Sequence, residues 1–487
     1  MTESLRNPDL DPVPMERRTW SRWHIAALWV GMAVCIPTYT LAASMISAGM
    51  RWWQALLTVM LGNLIVLVPM ILNAHGGTKY GVPFPVLARA SFGTTGAHIP
   101  SIARALVACG WFGIQTWIGG AAIYSILTVL GWIREDPAAS RIAFIGISPW
   151  QLASFAFFWL VHLLIIVKGV NSIKWLEAWA APFLIAAGLA LLTWAIVKVD
   201  NFGELFRNES GFESSAEFWK VFFPSLTAMV GFWATLSLNI PDFSRYCKSQ
   251  RDQAVGQIVG LPTTMTLFCF IGIVVTGATV AVFGEAIADP IQLVSRLDSK
   301  PIVIVSLFAV LLATLSTNLA ANVVSPANGF ANISPKHVSF RTGAIATCII
   351  GVLIMPWRLY NDLGGYIFTW LIGYSALLGP IAGVMIADYF IVRRTRLDAN
   401  ALYDAKGPFA GIKWRAMVAL VFAVIPNIPG FINAATNTAR SDQAIFPRVF
   451  DSMYDYAWFI GITLGVLIYT ALMIGHGSSH AAGKELK

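Results

Sequence analysis

The sequence predicts an all-α integral membrane protein of about twelve transmembrane helices. Three observations carry that prediction. Of 487 residues, 57% are hydrophobic and 12% charged, with a mean hydropathy of +0.67, whereas soluble domains carry about 25% charged residues. Apolar stretches long enough for a bilayer crossing, roughly 20 residues each, repeat along almost the whole chain. The charged residues fall mainly in the short segments between them.

Taken in order, residues 1–22 mix Arg6, Arg17, Arg18 and Arg22 with Glu3, Asp9, Asp11 and Glu16 and read as a cytoplasmic tail. No short apolar region with a small-residue cleavage site follows, so the first span is expected to be permanent. Hydropathy places spans near 23–49, 52–74, 98–132, 150–168, 174–198, 219–246, 256–284, 301–326, 342–356, 364–391, 414–436 and 454–475. Several exceed the hydrocarbon thickness and must tilt, bend or break. With the N-terminus placed inside, 21 of the 33 Lys and Arg fall on the inner side and 11 on the outer, while Arg104 lies within the third span. That asymmetry predicts a multi-pass protein of the cell (inner) membrane with both termini, including the tail 476–487, in the cytoplasm. It also accounts for the net charge of +8 without a nucleic-acid partner. Cys35, Cys109, Cys247, Cys269 and Cys348 are scattered, with no CxxC pair and no zinc spacing. No HExxH, P-loop or GxSxG motif points to an enzyme.

Two spans share an Ile-Pro step. The first reads Ala33-Val34-Cys35-Ile36-Pro37-Thr38-Tyr39 and the sixth Leu238-Asn239-Ile240-Pro241-Asp242-Phe243. Interrupted helices in matching positions of two halves point to an inverted-repeat transporter with its site at the breaks. Proline that merely kinks a membrane helix is the competing reading.

Polar groups at mid-membrane depth are expensive and mark candidate sites. In the third span Trp111 and Gln115 are four apart and share a face, so an aromatic plane stands beside an amide. That pair suits a flat ring stacked on one side and hydrogen-bonded at its edge; interhelical contact is the alternative. Gly231-Phe232-Trp233 lies mid-way along the sixth span, where glycine would let the backbone unwind and Trp233 would supply a second stacking face. In the eighth span Asn318 and Asn322 again share a face, with Ser316 and Thr317 beside them. Buried amides need partners, and hydroxyls joined by freed carbonyls suit a hard cation, unless they bond back to their own helix. Asp242 near Arg245, Asp388 near Arg393 and Arg394, and Glu177 read as caps and ion pairs at helix ends rather than proton relays.

At these residues the chain resembles the nucleobase:cation symporter family of purine, cytosine, uracil, allantoin and hydantoin permeases, above all bacterial allantoin, hydantoin and uracil permeases. The resemblance spans roughly 15–475. It is carried by Ile36-Pro37-Thr38-Tyr39, Gly77-Thr78-Lys79-Tyr80-Gly81-Val82-Pro83-Phe84-Pro85, Trp111-Phe112-Gly113-Ile114-Gln115-Thr116-Trp117, Asn239-Ile240-Pro241-Asp242-Phe243, Asn318 to Pro326 and Ala387-Asp388-Tyr389. It implies a LeuT-like architecture: a five-helix repeat over 23–198, its inverted partner over 219–391, and two additional helices over 414–475. It implies a ring held between Trp111 and Trp233 with its edge on Gln115, Asn318 and Asn322. For the coupling cation it implies Gly31, Val34 and Ala313 backbone oxygens with Ser316 and Thr317 hydroxyls. Cys35 stands where relatives commonly place an amide, and Phe232 where some have glycine, so both bear on substrate choice. The resulting expectation is symport of a neutral nitrogen-containing ring by alternating access, with Na⁺ favoured by Ser316 and Thr317, H⁺ the alternative, and no cofactor. An amino-acid or vitamin permease on the same scaffold is the rival reading.

Overall fold

The computed structural model describes residues 5–168, 170–199, 201–206, 211–360 and 366–474, with side chains at all of these except 170–179, 181, 202, 204, 359–360 and 366–368. The tail 476–487, the Glu177 side chain and the start of the tenth predicted span lie outside the described residues. Those described form helices and no strand, with one isolated bridge between Trp20 and Cys247.

Among the described residues eight helices are long and apolar enough to cross a membrane, and the bent pair Arg22–Ala33 and Ile36–Ser47 makes a ninth. Three shorter apolar helices, Pro182–Lys198, Phe340–Leu353 and Ala457–Met473, stand at the fifth, ninth and twelfth predicted spans. Burial sorts centre from rim. The helices His98–Val129 and Ser215–Asn239, the third and sixth spans, bury 78% and 83% of their most apolar stretch, against 28% for the fourth, Pro149–Val167. That fourth helix shows Phe157, Leu160 and Leu164 outward, as a lipid-facing surface requires, because lipid removes the drive to hide apolar groups.

The first span is broken where the sequence predicts. Val34 (φ −81°, ψ 81°) and Cys35 (φ −144°, ψ 162°) leave helical space, and Pro37 opens the next helix without an N–H to donate. The halves meet at 61°. The sixth span differs from expectation. Its helix runs unbroken from Ser215 to Asn239 through Gly231 and Trp233, and Ile240 keeps helical angles (φ −51°, ψ −28°) before the short helix Pro241–Ser244. A proline in the first turn of a helix forgoes only a donor that would have lacked a partner anyway, so this Ile-Pro step turns the chain without breaking the span. Gly231 serves contact instead of unwinding. A Cβ there would lie 2.7 Å from the Leu371 carbonyl oxygen.

Glycines also join the helix Ile372–Ile386 of the tenth span to the twelfth, Ala457–Met473. A Cβ on Gly383 would meet Ile462 O at 2.3 Å and one on Gly465 would meet Pro380 O at 2.6 Å. At the end that carries the N-terminus, the tail binds the loops. Asn7 donates to Pro335 O and Val338 O at 2.8 and 3.0 Å, Tyr403 Oη donates to Leu10 O at 2.6 Å, and Arg18 donates to Thr78 O at 2.8 Å. Gly81 (φ +74°) ends the second span against this tail, where a Cβ would sit 2.7 Å from Val13 O. In the same layer Arg89 gives two hydrogen bonds to Asn332 Oδ1 and one to Leu402 O. Burial pushes its guanidinium down to about 10, opposed by Tyr403.

Candidate functional site

The break in the first span creates an oxygen site. In a continuous helix Gly31 O would accept from Cys35 N. Here Cys35 N bonds Ala33 O at 3.0 Å, so Gly31 O turns to the eighth span, Lys300–Asn322. Thr317 Oγ1 donates to it at 3.0 Å and Ser316 Oγ at 3.4 Å. Val34 and Ala313 share one buried cluster at this junction. Gly31, Ser316 and Thr317, three of the five residues expected at a cation site, are thus brought together from the first and eighth spans. Among the described residues no group of three His, Cys, Asp or Glu forms a site for a metal ion; the oxygens at this junction are neutral, a donor set suited to a weakly held monovalent cation.

Cys35 links this junction to the third span. Its thiol lies 3.4 Å from Thr38 Oγ1 and faces the Gln115 and Thr317 side chains. Gln115 is buried, and among the described residues its Oε1 has no hydrogen-bond partner. Across the centre, Trp111 meets Phe232 edge-to-face (centroids 5.3 Å, 75°), and Phe232 meets Trp233 likewise (5.0 Å, 81°). Trp233 also packs edge-on against Trp29 at 5.1 Å, and among the described residues its Nε1 has no hydrogen-bond partner. The two expected stacking faces are therefore close, with the Phe232 ring set against both.

Asn322 and Asn318 lie on one helix face as their spacing requires, but they point differently. Asn322 Nδ2 donates to Asn318 Oδ1 at 3.0 Å. Asn318 is fully buried, and its Nδ2 lies 3.1 Å from Phe112 O, 3.2 Å from Thr116 Oγ1 and 3.1 Å from His162 Nε2. Asn318 thus backs Asn322 from behind. Sequence reasoning passed over His162 because the seven His are dispersed; its position mid-way along a strongly apolar span was the available signal.

Beneath this layer Arg104 ties three spans. Its Nε donates to Asn239 Oδ1 at 2.8 Å and its Nη2 to Ala321 O at 2.9 Å. Asp242 acts as a cap, accepting Phe84 N at 3.1 Å at the start of the helix Phe84–Phe92. Among the described residues it makes no ion pair with Arg245, which donates to Asp9 O and Tyr246 Oη instead. Asp388 does pair with Arg393 at 2.8 Å, and accepts from Ser91 and Tyr469. A cavity of about 430 Å³ lies elsewhere, lined by Lys220, Arg440, Asp451, Tyr454 and Asp455 among others. It contains none of the expected site residues, and chemistry favours the central cluster over volume.

Comparison with known proteins bears on the chain as a whole. Residues 12–461 match the family model described as permease for cytosine/purines, uracil, thiamine, allantoin. The chain is 44% identical over 475 residues to the purine-uracil permease NCS1 of Arabidopsis thaliana, covering 96% of this chain and 78% of that protein. It is 37% identical over 476 residues to the allantoin permease of Bacillus subtilis, covering 97% and 94%. Among solved structures it matches Mhp1, a nucleobase-cation-symport-1 family transporter, in a closed conformation with bromovinylhydantoin bound. The TM-score is 0.76 at 26% identity, over 97% of this chain and 96% of that one.

Proposed function

Because the chain belongs to the family of permeases for cytosine/purines, uracil, thiamine and allantoin, a family of transporters and not of enzymes, we propose that it imports a neutral nitrogen-containing ring, uracil or another nucleobase, allantoin or a hydantoin, by Na⁺ symport. The observation that carries the coupling is the Gly31 carbonyl, released by the break at Val34–Cys35 and met by Ser316 and Thr317. Carbonyl and hydroxyl oxygens would hold Na⁺ there, and Cys35, which faces both Thr317 and Gln115, would link the ion site to the ring site. In this reading Trp111 and Trp233 stack on the ring once Phe232 turns aside, and Gln115 and Asn322 bond its edge. Asn318 acts through Asn322. Ion and ring each favour the closed state, so each raises the other's affinity by the same factor.

The repeats 23–198 and 219–391 would move against each other, with 414–475 attached to the second, in a cell membrane with both termini cytoplasmic. The excess of Lys and Arg on the inner side supports that orientation. The test is uptake of labelled uracil, cytosine, allantoin and benzyl-hydantoin into vesicles with and without a Na⁺ gradient. Accumulation of at least one ring that collapses without Na⁺ is expected. Accumulation of an amino acid and of no ring would overturn the reading, and uptake driven equally by a proton gradient without Na⁺ would replace the ion.

A further inference from the structure

Five side chains below the central cluster bring unsatisfied polar atoms together. Arg104, Asn239, Asp242, Ser325 and Asn328 are each at most 1% exposed. Among the described residues Arg104 Nη1, Asn239 Nδ2, Asp242 Oδ2, Ser325 Oγ and both amide atoms of Asn328 have no hydrogen-bond partner. Native proteins leave few such atoms, and at membrane depth each is costly. They come from three spans to one place. Arg104 Nε holds Asn239 Oδ1 at 2.8 Å, and Asp242 faces the Ser325 and Asn328 side chains and lies within reach of the Arg104 charge. Gly329 lets this stretch of the eighth span close on the third, where a Cβ would sit 3.2 Å from Ser101 O.

The group lies between the central site and the end that carries the N-terminus. Arg104 Nη2 bonds Ala321 O at 2.9 Å, beside Asn322, and Asn239 ends the helix that carries Trp233. Toward the N-terminal end the helix Phe84–Phe92 shuts it off, with its first N–H on Asp242 Oδ1 at 3.1 Å. The tail lies beyond, its Asp9 O accepting from Arg245 at 3.0 Å. A ring imported in the orientation proposed above meets these atoms after the central site and before the cytoplasm.

The charges select the class of ligand. Any ion placed here meets a like charge, a cation at Arg104 and an anion at Asp242, whereas the pair together is neutral and suits a neutral molecule. Arg104 Nη1 can donate to a carbonyl oxygen and Asp242 Oδ2 can accept from an N–H, both charge-assisted bonds. The amides of Asn239 and Asn328 and the Ser325 hydroxyl offer further donors and acceptors. Such a set takes neutral amide-bearing rings as a class, whichever way they turn, and does not sort one from another.

We propose that Arg104, Asn239, Asp242, Ser325 and Asn328 form a second station for the neutral ring, occupied once it leaves Trp111 and Asn322 and the helix Phe84–Phe92 gives way. It rests on the ring-transport reading above and adds a binding step on the release side.

The experiment measures transport from each face separately, in right-side-out and everted vesicles, with labelled uracil, cytosine, allantoin and benzyl-hydantoin as probes and an N-terminal tag reporting which face is outward. Asn328→Leu removes two atoms that make no hydrogen bond among the described residues, so the melting temperature in detergent is expected not to fall. Half-saturation from the face that carries the N-terminus should rise at least about threefold, the worth of about one hydrogen bond. From the opposite face it should stay within about twofold. Ser325→Ala gives a smaller rise on the same face alone and stands in should Asn328→Leu fail to reach the membrane. Trp111→Ala, in the central site, raises half-saturation on both faces. An equal rise on both faces in the station variants, or a rise on neither, marks these atoms as structural or merely hydrated and overturns the station while leaving ring transport standing. A natural chain that carries no ring from either face overturns both.

Discussion

Replacing Thr317 by Ala removes the hydroxyl that lies 3.0 Å from the Gly31 carbonyl and changes little else, since the side chain is buried and the helix retains its backbone bonds. If both oxygens ligate Na⁺, the variant loses one of five ligands. A hydrogen bond or ligand contact to a charged group contributes about 1.5–3 kcal/mol, and each 1.4 kcal/mol is about a factor of ten, so Na⁺ affinity should fall roughly 10- to 150-fold. The reading is labelled-ring uptake against Na⁺ concentration at fixed membrane potential. Half-saturation should move upward by that factor while maximal uptake at saturating Na⁺ is retained. Ring affinity measured at low Na⁺ should fall in parallel, because the coupling is reciprocal. Ser316→Ala, whose hydroxyl is at 3.4 Å, should move half-saturation less. An unchanged Na⁺ curve in Thr317→Ala would refute the assignment, and so would a shift in ring affinity that persists at saturating Na⁺.

Trp111→Ala should weaken ring binding about 5- to 150-fold, from the roughly 1–3 kcal/mol that an aromatic platform gives one base, as read by competition assays on protein shown to be in the membrane. Phe232→Ala should admit bulkier rings, because Phe232 stands edge-on to Trp111 and to Trp233; a transport panel with benzyl-hydantoin checks it. Gly383→Val places a Cβ 2.3 Å from Ile462 O, against backbone that cannot yield, and should lower the melting temperature in detergent or abolish expression. Asp388→Asn breaks a pair whose acid is 1% and whose base is 20% exposed, and should cost about 2 kcal/mol with little change in ring affinity.

The sequence made the membrane fold legible because a bilayer crossing is a local, one-dimensional demand on about 20 residues. It located the first-span break because Pro37 removes a donor in a segment with no other helix start. The same Ile-Pro step misled at Pro241, where the proline begins a helix and its missing donor is not needed. Gly231 looked like a place to unwind, and it is a place of close approach; which of the two holds depends on Leu371, 140 residues away and invisible to local pattern. The site residues were legible as polar or aromatic groups in apolar surroundings. Their directions were not. That Asn318 faces Phe112, Thr116 and His162, and that Phe232 stands against both indoles, follows from helix packing between spans distant in sequence.

The interlocked glycines of the tenth and twelfth spans pack those two helices into one unit. Carbonyl oxygens lie so close to Gly383 and Gly465 that neither helix can slide along the other without first separating, so the twelfth span is expected to move with the tenth in any transport cycle. A spin label at Leu467, which is 60% exposed on that outer helix, therefore records from the lipid side every displacement of the tenth span, and a tether fixing Leu467 to a static scaffold would stall the cycle without touching either ligand.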